Sequence, residues 1–264
     1  MEPSISKQSI EINLLPTHSK LFSFCTLVTK PNQYNEMVKS FTDKGFVNDC
    51  EYLHINNVDS IQFDAYSAIR KFLVLAKGEY LIFCHQDILA IDDFDKLNQS
   101  IKELNNIDSN WAIAANAGGK HIKGLVKCIT NGDDSIEKNS TLPQQVYAID
   151  ENFFIVKKSA LLTVSNKLKG FHFYATDMAL MADILGYKTY VIDYMVKHLS
   201  KGNYDLNFHN QIIKVKENYS ESFRDRFIES PSARLFLSGS NLKMKLFNNT
   251  FSFFIVKLWY RFLR

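Results

Sequence analysis

An apolar run that begins just after a turn and stops on His85-Gln86-Asp87 carries the clearest chemistry in this chain. A carboxylate is an oxygen ligand for a divalent cation, and such a cation can neutralise a phosphate held beside it. An imidazole two residues away can orient that carboxylate, and a second imidazole, His198, can join it as a ligand from a distant part of the chain. Imidazole suits Mn2+ better than Mg2+. The run itself, Gly78 to Cys84 (GEYLIFC), reads as a buried strand of an α/β sheet. In open α/β sheets ligands sit beyond the carboxyl ends of the strands, which is where these residues fall. Without a ligand, His85 and Asp87 would simply cap the turn that follows.

The elements that must position this stretch are legible on both sides of it. Leu21 to Thr29 reads as a first buried strand, stopped by Lys30-Pro31-Asn32, and Asn35 to Thr42 as a short helix. Glu51 to Asn56 reads as a second strand. Asp59 or Ser60 then stands where a helix cap is needed. The helix it would open carries Ala65, Ala68, Ile69, Phe72, Leu73 and Ala76 on one face, closed by Lys77 and Gly78. Strand, helix and strand with short links make a right-handed βαβ unit.

Beyond Asp87 the pattern gives a polar helix over 92–104, a strand over 111–115 and a turn at Asn116-Ala117-Gly118-Gly119. Two strands, Gly124 to Thr130 and Gln145 to Ile149, flank the turn Asn131-Gly132-Asp133-Asp134. The segment from Lys120 to Leu142 is expected to be a variable loop. A strand over 153–156 follows, then a helix over 174–185 with Met178, Met181 and Leu185 as its buried stripe, ended by Gly186. Tyr187 to Asp193 is the last strand before His198.

Bulk properties narrow the class. The 264 residues suffice for one large or two small domains, and the formal charge of +3 gives no reason to expect nucleic acid. The positive excess belongs to the tail, where Lys243, Lys245, Lys257, Arg261 and Arg264 meet no acidic residue. Cys25, Cys50, Cys84 and Cys128 form no CxxC pair and read as reduced thiols of a cytosolic protein. Residues 1–20 are polar, without a basic start and apolar core, so no secretory signal is visible. The tail from Leu246 is rich in aromatic residues, and its uncharged run to Val256 is shorter than the about 20 residues a bilayer span needs. Its composition suits an in-plane helix on anionic lipid, peripheral at the inner face of the cell membrane, or equally a helix packed on protein.

Taken in order, these features resemble the inverting glycosyltransferases of the GT-A fold, family 2-like. The matching pieces are Ala76 to Asp87, with His-Gln-Asp in place of the family's D-x-D; Asp150 to Lys158, an apolar strand ending in basic residues; Gly170 to Asp177, with Thr176-Asp177 in place of E-D; and Gly186-Tyr187 followed by His198 to Gly202. The resemblance spans roughly Phe22 to Gly202, and the His-Gln-Asp form looks like a bacterial subgroup. It implies an α/β, Rossmann-type mixed sheet flanked by helices over 21–205, after an N-terminal extension over 1–20. A C-terminal helical region over 206–264 follows, membrane-associated or oligomerising.

The same resemblance implies a nucleotide-sugar donor, UDP-linked, a glycan or lipid-linked acceptor in bacterial surface polysaccharide synthesis, and Mn2+ or Mg2+ held by Asp87 and His198. Asp177 takes the place of the family's base, which removes the acceptor hydroxyl proton. Thr29, Asn57, Asp59, Gln86, Asp87 and Gly118 fall where donor and nucleotide are bound. His85, Asp150, Glu151 and His172 fall on the acceptor side or behind it. For Asp177, Asp59 and Asp150 the plain alternatives are a first-turn acid, a helix cap and a turn cap. Two rivals stand beside this reading. One is a catalytically degenerate relative that binds nucleotide or glycan without turnover. The other, a sugar nucleotidyltransferase, needs a glycine-rich phosphate loop that Thr29-Lys30-Pro31-Asn32 does not supply.

Overall fold

Strand β1 (Lys20–Val28) is the first of three parallel strands, and its inward residues Phe22 and Phe24 are completely buried. The computed structural model describes residues 18–121, 124–200, 202 and 205–262; most of the N-terminal extension expected over 1–20 lies outside them, as does Lys201. In chain order β1 leads to α1 (Pro31–Asp43), β2 (Cys50–Asn56), α2 (Ala65–Leu75), β3 (Gly78–Cys84), β4 (Ile88–Ala90), α3 (Phe94–Ile107) and β5 (Trp111–Ala115). Short strands follow: β6 (Ala117–Gly119), β7 (Leu125–Asn131), β8 (Ile136–Lys138), β9 (Gln144–Val146) and β10 (Ala148–Ile149). Then come β11 (Phe153–Lys157), α4 (Tyr174–Ile184), β12 (Lys188–Val191) and β13 (Val196–His198).

The main sheet runs β2-β1-β3-β11-β5-β12-β9. Strands β2, β1 and β3 are parallel, β11 is antiparallel to both neighbours, and β12 is parallel to β5. The result is a mixed α/β fold with helices against the sheets, as the sequence indicates. A second sheet, β10-β6-β7-β13-β4, carries β8 as a hairpin partner of β7. Its β4–β13 pairing sets the site described below.

One core of aromatic rings holds these layers. Phe24 lies 4.7 Å from Phe41 of α1 and 5.5 Å from Phe46, and Phe153 of β11 stacks on Phe41 and Tyr194. Burying large rings of this kind is the main favourable term in such a core.

Local expectations met several corrections. Helix α2 is capped by Asp64, whose carboxylate accepts from the Ser67 N–H (2.8 Å), while Asp59 and Ser60 are exposed. Asp64 wins because its other oxygen also accepts from the Gly170 N–H (2.9 Å), tying the helix to a distant loop. Gly78 opens β3 instead of closing α2; its N–H donates to Ser23 Oγ (2.7 Å). Residues 117–119, expected in a turn, pair with β7 and β10, and the expected loop over 120–142 contains the β7–β8 hairpin. Helix α4 buries Tyr174, Ala175, Asp177, Met178, Ala179 and Ala182, whereas Leu185 is exposed, because small residues let the helix lie close on the sheet.

The chain divides into two compact units, 1–203 and 204–264. The second contains α5 (Leu206–Ser222), the hairpin β14 (Arg226–Glu229) and β15 (Arg234–Leu237), α6 (Asn241–Phe247) and α7 (Thr250–Phe262). The hairpin interrupts what the sequence suggested would be helical throughout.

Replacing Asp64 by Ala removes both the α2 cap and the link to Gly170. Urea denaturation should show a loss of about 1–2 kcal/mol, the range for deleting such a cap. A change within about 0.5 kcal/mol, the size of an ordinary surface substitution, would contradict this role.

Candidate functional site

The parallel strands β2, β1 and β3 end on the same side, and a cavity of about 280 Å³ opens there. Thr29, Asn57, His85, Gln86 and Asp87 line it, together with Glu151, Phe171 and Tyr174. The fold thus brings these residues from five separate chain segments to one opening, where ligands bind in folds of this class.

His198 does not line this cavity, but strand pairing brings it beside Asp87, which does. In the antiparallel β4–β13 ladder, His198 pairs with Ile88, the residue after Asp87, and the Leu199 N–H donates to the Asp87 carbonyl (3.1 Å). One His198 Nε2 is therefore 3.6 Å from Asp87 Oδ2. His85 completes the group, and one ligand atom from each of His85, Asp87 and His198 lies within 4.8 Å of the others. Small divalent cations hold their ligands at about 2.0–2.2 Å, which puts neighbouring ligand atoms roughly 3–4 Å apart. For one ion to touch all three, the most distant of these atoms would have to approach by about 1 Å. Two imidazoles and one carboxylate form a donor set suited to Mn2+ more than to Mg2+.

Around the cluster the side chains are held from outside. Gln86 turns away from it and stitches the β1–α1 link: its Oε1 accepts from the Thr29 and Lys30 N–H groups (2.9 and 2.8 Å), and its Nε2 donates to Thr29 Oγ1 (2.8 Å). His85 Nε2 is 2.9 Å from the Tyr174 hydroxyl, which also lies 3.3 Å from the Glu151 carbonyl. If that hydroxyl donates to the carbonyl, His85 Nε2 donates to the hydroxyl, leaving Nδ1 with the lone pair a cation needs. Glu151 in turn accepts the Tyr174 N–H (3.0 Å) and so caps α4.

Electrostatics divide the carboxylates. Burial pushes the Asp87 carboxyl up, but hydrogen bonds from His198 and Ser200 and the nearby His198 and His85 outweigh it, holding it far below the ordinary range. Burial lowers the His85 imidazole, and His198 and His172 add to that against the pull of Asp87 and Asp150, so His85 stays neutral and able to ligate. Glu151 goes the other way. Burial, then the Asp150 charge, push it up to about 8 despite backbone N–H donors from the first turn of α4. Desolvation there outweighs the favourable helix terminus.

Several sequence assignments fall elsewhere. Asp177 is fully buried and does not line the cavity; its Oδ1 accepts from Ser165 Oγ (2.6 Å) and its Oδ2 from the Ser165 N–H (2.7 Å), so it fastens the 158–170 segment to α4. A base must reach an acceptor proton, and Asp177 is walled off from any. Gly118 lies in β6 against β10, where a Cβ would fall 2.5 Å from the Ala148 carbonyl oxygen; its smallness serves strand packing. Asp59 is exposed and does not line the cavity. Asn57 does line it, but its Oδ1 accepts from the Gln62 N–H and its Nδ2 donates to the Phe63 carbonyl, so it shapes the loop before α2. Asp150 is exposed and takes the Asn152 N–H, a turn cap. The His172 carbonyl accepts from the Tyr66 hydroxyl, and His172 does not line the cavity. Tyr174 is the residue sequence reasoning missed. Its place at the first position of α4, two residues after a histidine, was the available signal.

Comparison with known proteins gives distant relatives. No protein-family model matches the chain. It is 29% identical over 227 residues to a protein of Fuscovulum blasticum named "ATP synthase subunits region ORF 6", covering 83% of this chain and 91% of that protein. That name states no activity. Among solved structures, A197 from STIV overlaps 69% of this chain and 86% of its own at 16% identity and a TM-score of 0.42. A structure of GalNAc-T7 with UDP, GalNAc and Mn2+ overlaps 69% of this chain and 44% of its own at 11% identity and a TM-score of 0.45. Overlaps this loose say nothing about reaction or substrate.

The raised Glu151 pKa gives a stability prediction with a definite sign. From about pH 4.3, the unfolded value, up to about 8, the unfolded chain has released this proton while the folded chain keeps it. Rising pH therefore favours unfolding across that window, and the penalty is complete above the folded pKa. The neutral Glu151→Gln variant escapes it. Its Tm advantage over the wild type should grow between about pH 5 and pH 8, by about 5 °C or more. A difference that stays flat with pH would contradict the burial of this charge.

Proposed function

We propose that this chain is a metal-dependent, inverting glycosyltransferase of GT-A type, taking its sugar from a UDP-sugar. Its acceptor is a glycan or lipid-linked intermediate of bacterial surface polysaccharide synthesis, reached from the cytoplasm. One observation carries the reading: His85 and Asp87 line a cavity beyond the carboxyl ends of three parallel strands, and His198 stands close enough to join them on one ion. A cation there supplies charge neutralisation for a diphosphate leaving group. The four buried, unpaired cysteines suit a reducing compartment.

In this reading Glu151, not Asp177, serves as base. It lines the same cavity as Asp87. With a pKa of about 8 it is mostly protonated at neutral pH, and its deprotonated form, which predominates above that value, is the one that accepts the hydroxyl proton. The acceptor O–H proton passes to Glu151 and the oxygen bonds to the anomeric carbon. On the opposite face the bond to the diphosphate oxygen breaks, and UDP leaves with the electron pair. Inversion follows from that in-line arrangement. Gln86 and Asn57 contribute by holding the loops that wall the nucleotide side.

A second reading has its own support. The position where the family's base is expected is occupied by the sealed Asp177, so a relative that binds nucleotide without turnover fits as well. The two separate by experiment. A thermal-shift panel of nucleotides with and without Mn2+ reports binding, since a ligand of the folded form raises Tm. UDP release from a panel of UDP-sugars reports turnover. The enzyme reading expects Mn2+-dependent stabilisation by UDP, UDP release, about 10–100-fold weaker Mn2+-dependent binding in Asp87→Ala, and a turnover loss of about 10²-fold or more in Glu151→Gln with binding retained. UDP binding with no release from any donor favours the binding protein. Wild-type turnover in Asp87→Ala overturns the site itself.

A further inference from the structure

Helix α7 has one face committed to its own unit and the other left over. Phe253 packs on Phe227 of the hairpin (ring centroids 5.9 Å), and Val256 and Ser252 beside it are half-buried. The link from α6 is clamped to the same hairpin: the Phe236 N–H donates to Asn248 Oδ1 (2.7 Å), and Asn248 Nδ2 donates to the Phe236 carbonyl (2.9 Å). The helix is thus held in a fixed rotation on the hairpin.

On the remaining face Phe251, Phe254, Ile255, Leu258 and Phe262 recur at three- and four-residue spacing and form one apolar stripe. They are between 36% and 82% exposed, too much for a face that meets its own chain. Lys257 and Arg261, four residues apart, run along one border of the stripe, and the exposed Trp259 lies on the other. No acidic residue occurs from Asn241 to Phe262, and α6 adds the exposed Leu242, Leu246 and Lys245.

The geometry points to an anionic lipid surface as the partner of α7, with the helix lying in the plane of the interface. Charge complementarity selects this occupant: a basic border with no acid in the segment meets anionic headgroups, while the stripe enters the acyl boundary and the indole sits at headgroup level. The helix has 13 residues, about 20 Å at 1.5 Å per residue, well short of a bilayer core, so it does not span. No described helix is long and apolar enough to cross a membrane. A second copy of the chain would bring the same basic border to the contact without an acid in α7 to answer it.

Co-sedimentation of the full chain with vesicles tests this directly. Binding is expected to phosphatidylcholine vesicles containing phosphatidylglycerol and not to phosphatidylcholine alone, and it should weaken with added salt. The double reversal Lys257→Glu/Arg261→Glu should lower binding about ten-fold or more, given the worth of each basic residue at an anionic surface. Phe254→Ser/Leu258→Ser should do the same with the cooperative unfolding transition retained, because both residues lie on the outward stripe. Equal binding to both kinds of vesicle, or to neither, overturns the inference. So does a concentration-dependent dimer in ultracentrifugation that the Phe254→Ser/Leu258→Ser change abolishes while wild-type protein ignores vesicles.

Discussion

Three ladder positions between β4 and β13 hold the candidate site together. Strand β4 continues directly from His85-Gln86-Asp87, and β13 ends on His198; their antiparallel register sets Ile88 opposite His198, and the Leu199 N–H closes on the Asp87 carbonyl. Backbone hydrogen bonds, not side-chain attraction, therefore bring two histidines and an aspartate from opposite ends of the unit to one point. A register shift of one residue would turn His198 to the other face of the sheet. The turn at Gly132 supports this register from behind, since a Cβ there would fall 2.5 Å from the Leu199 carbonyl oxygen.

Around that backbone frame the charges are sorted by solvent access and partner. Asp87 keeps its proton off because imidazoles and Ser200 answer it, while at Glu151, in the wall of the same opening, burial and the Asp150 charge outweigh the backbone N–H donors of α4 and it holds its proton to about pH 8. One cavity thus offers an anionic carboxylate and a second carboxyl group that changes protonation near pH 8. Separation of two carboxyl groups by environment is the arrangement that acid–base chemistry at neutral pH requires. Tyr174 couples the halves, touching His85 through its hydroxyl and Glu151 through its N–H.

What could be read in advance follows from which forces are local. The βαβ half was legible because burial on both faces leaves long apolar strands, and the His-Gln-Asp end of β3 stood out as the place where polarity returns. The β6–β10 region was not, since strands of two or three residues leave no periodicity to detect. Asp177 shows the limit most plainly. A first-turn aspartate looks the same in sequence whether it faces a cleft or ties down a loop; the two hydrogen bonds from Ser165, twelve residues upstream, show that it ties down a loop. Tyr174 was hidden, and the raised pKa of Glu151, which the sequence places on the acceptor side, was hidden too, because both come from contacts across 23 residues and from the loss of water around them.

In the second unit, the same hairpin that fixes α7 also decides which of its aromatic residues remain outward. The first unit stands or falls on whether the three converging ligands accept one ion. Anomalous diffraction from crystals soaked in Mn2+ and UDP locates that ion without recourse to activity. The account predicts a single strong peak at about 2.0–2.3 Å from ligand atoms of His85, Asp87 and His198, with the diphosphate on its open side. A peak held by other residues, or a bound nucleotide with the cluster empty, would contradict it.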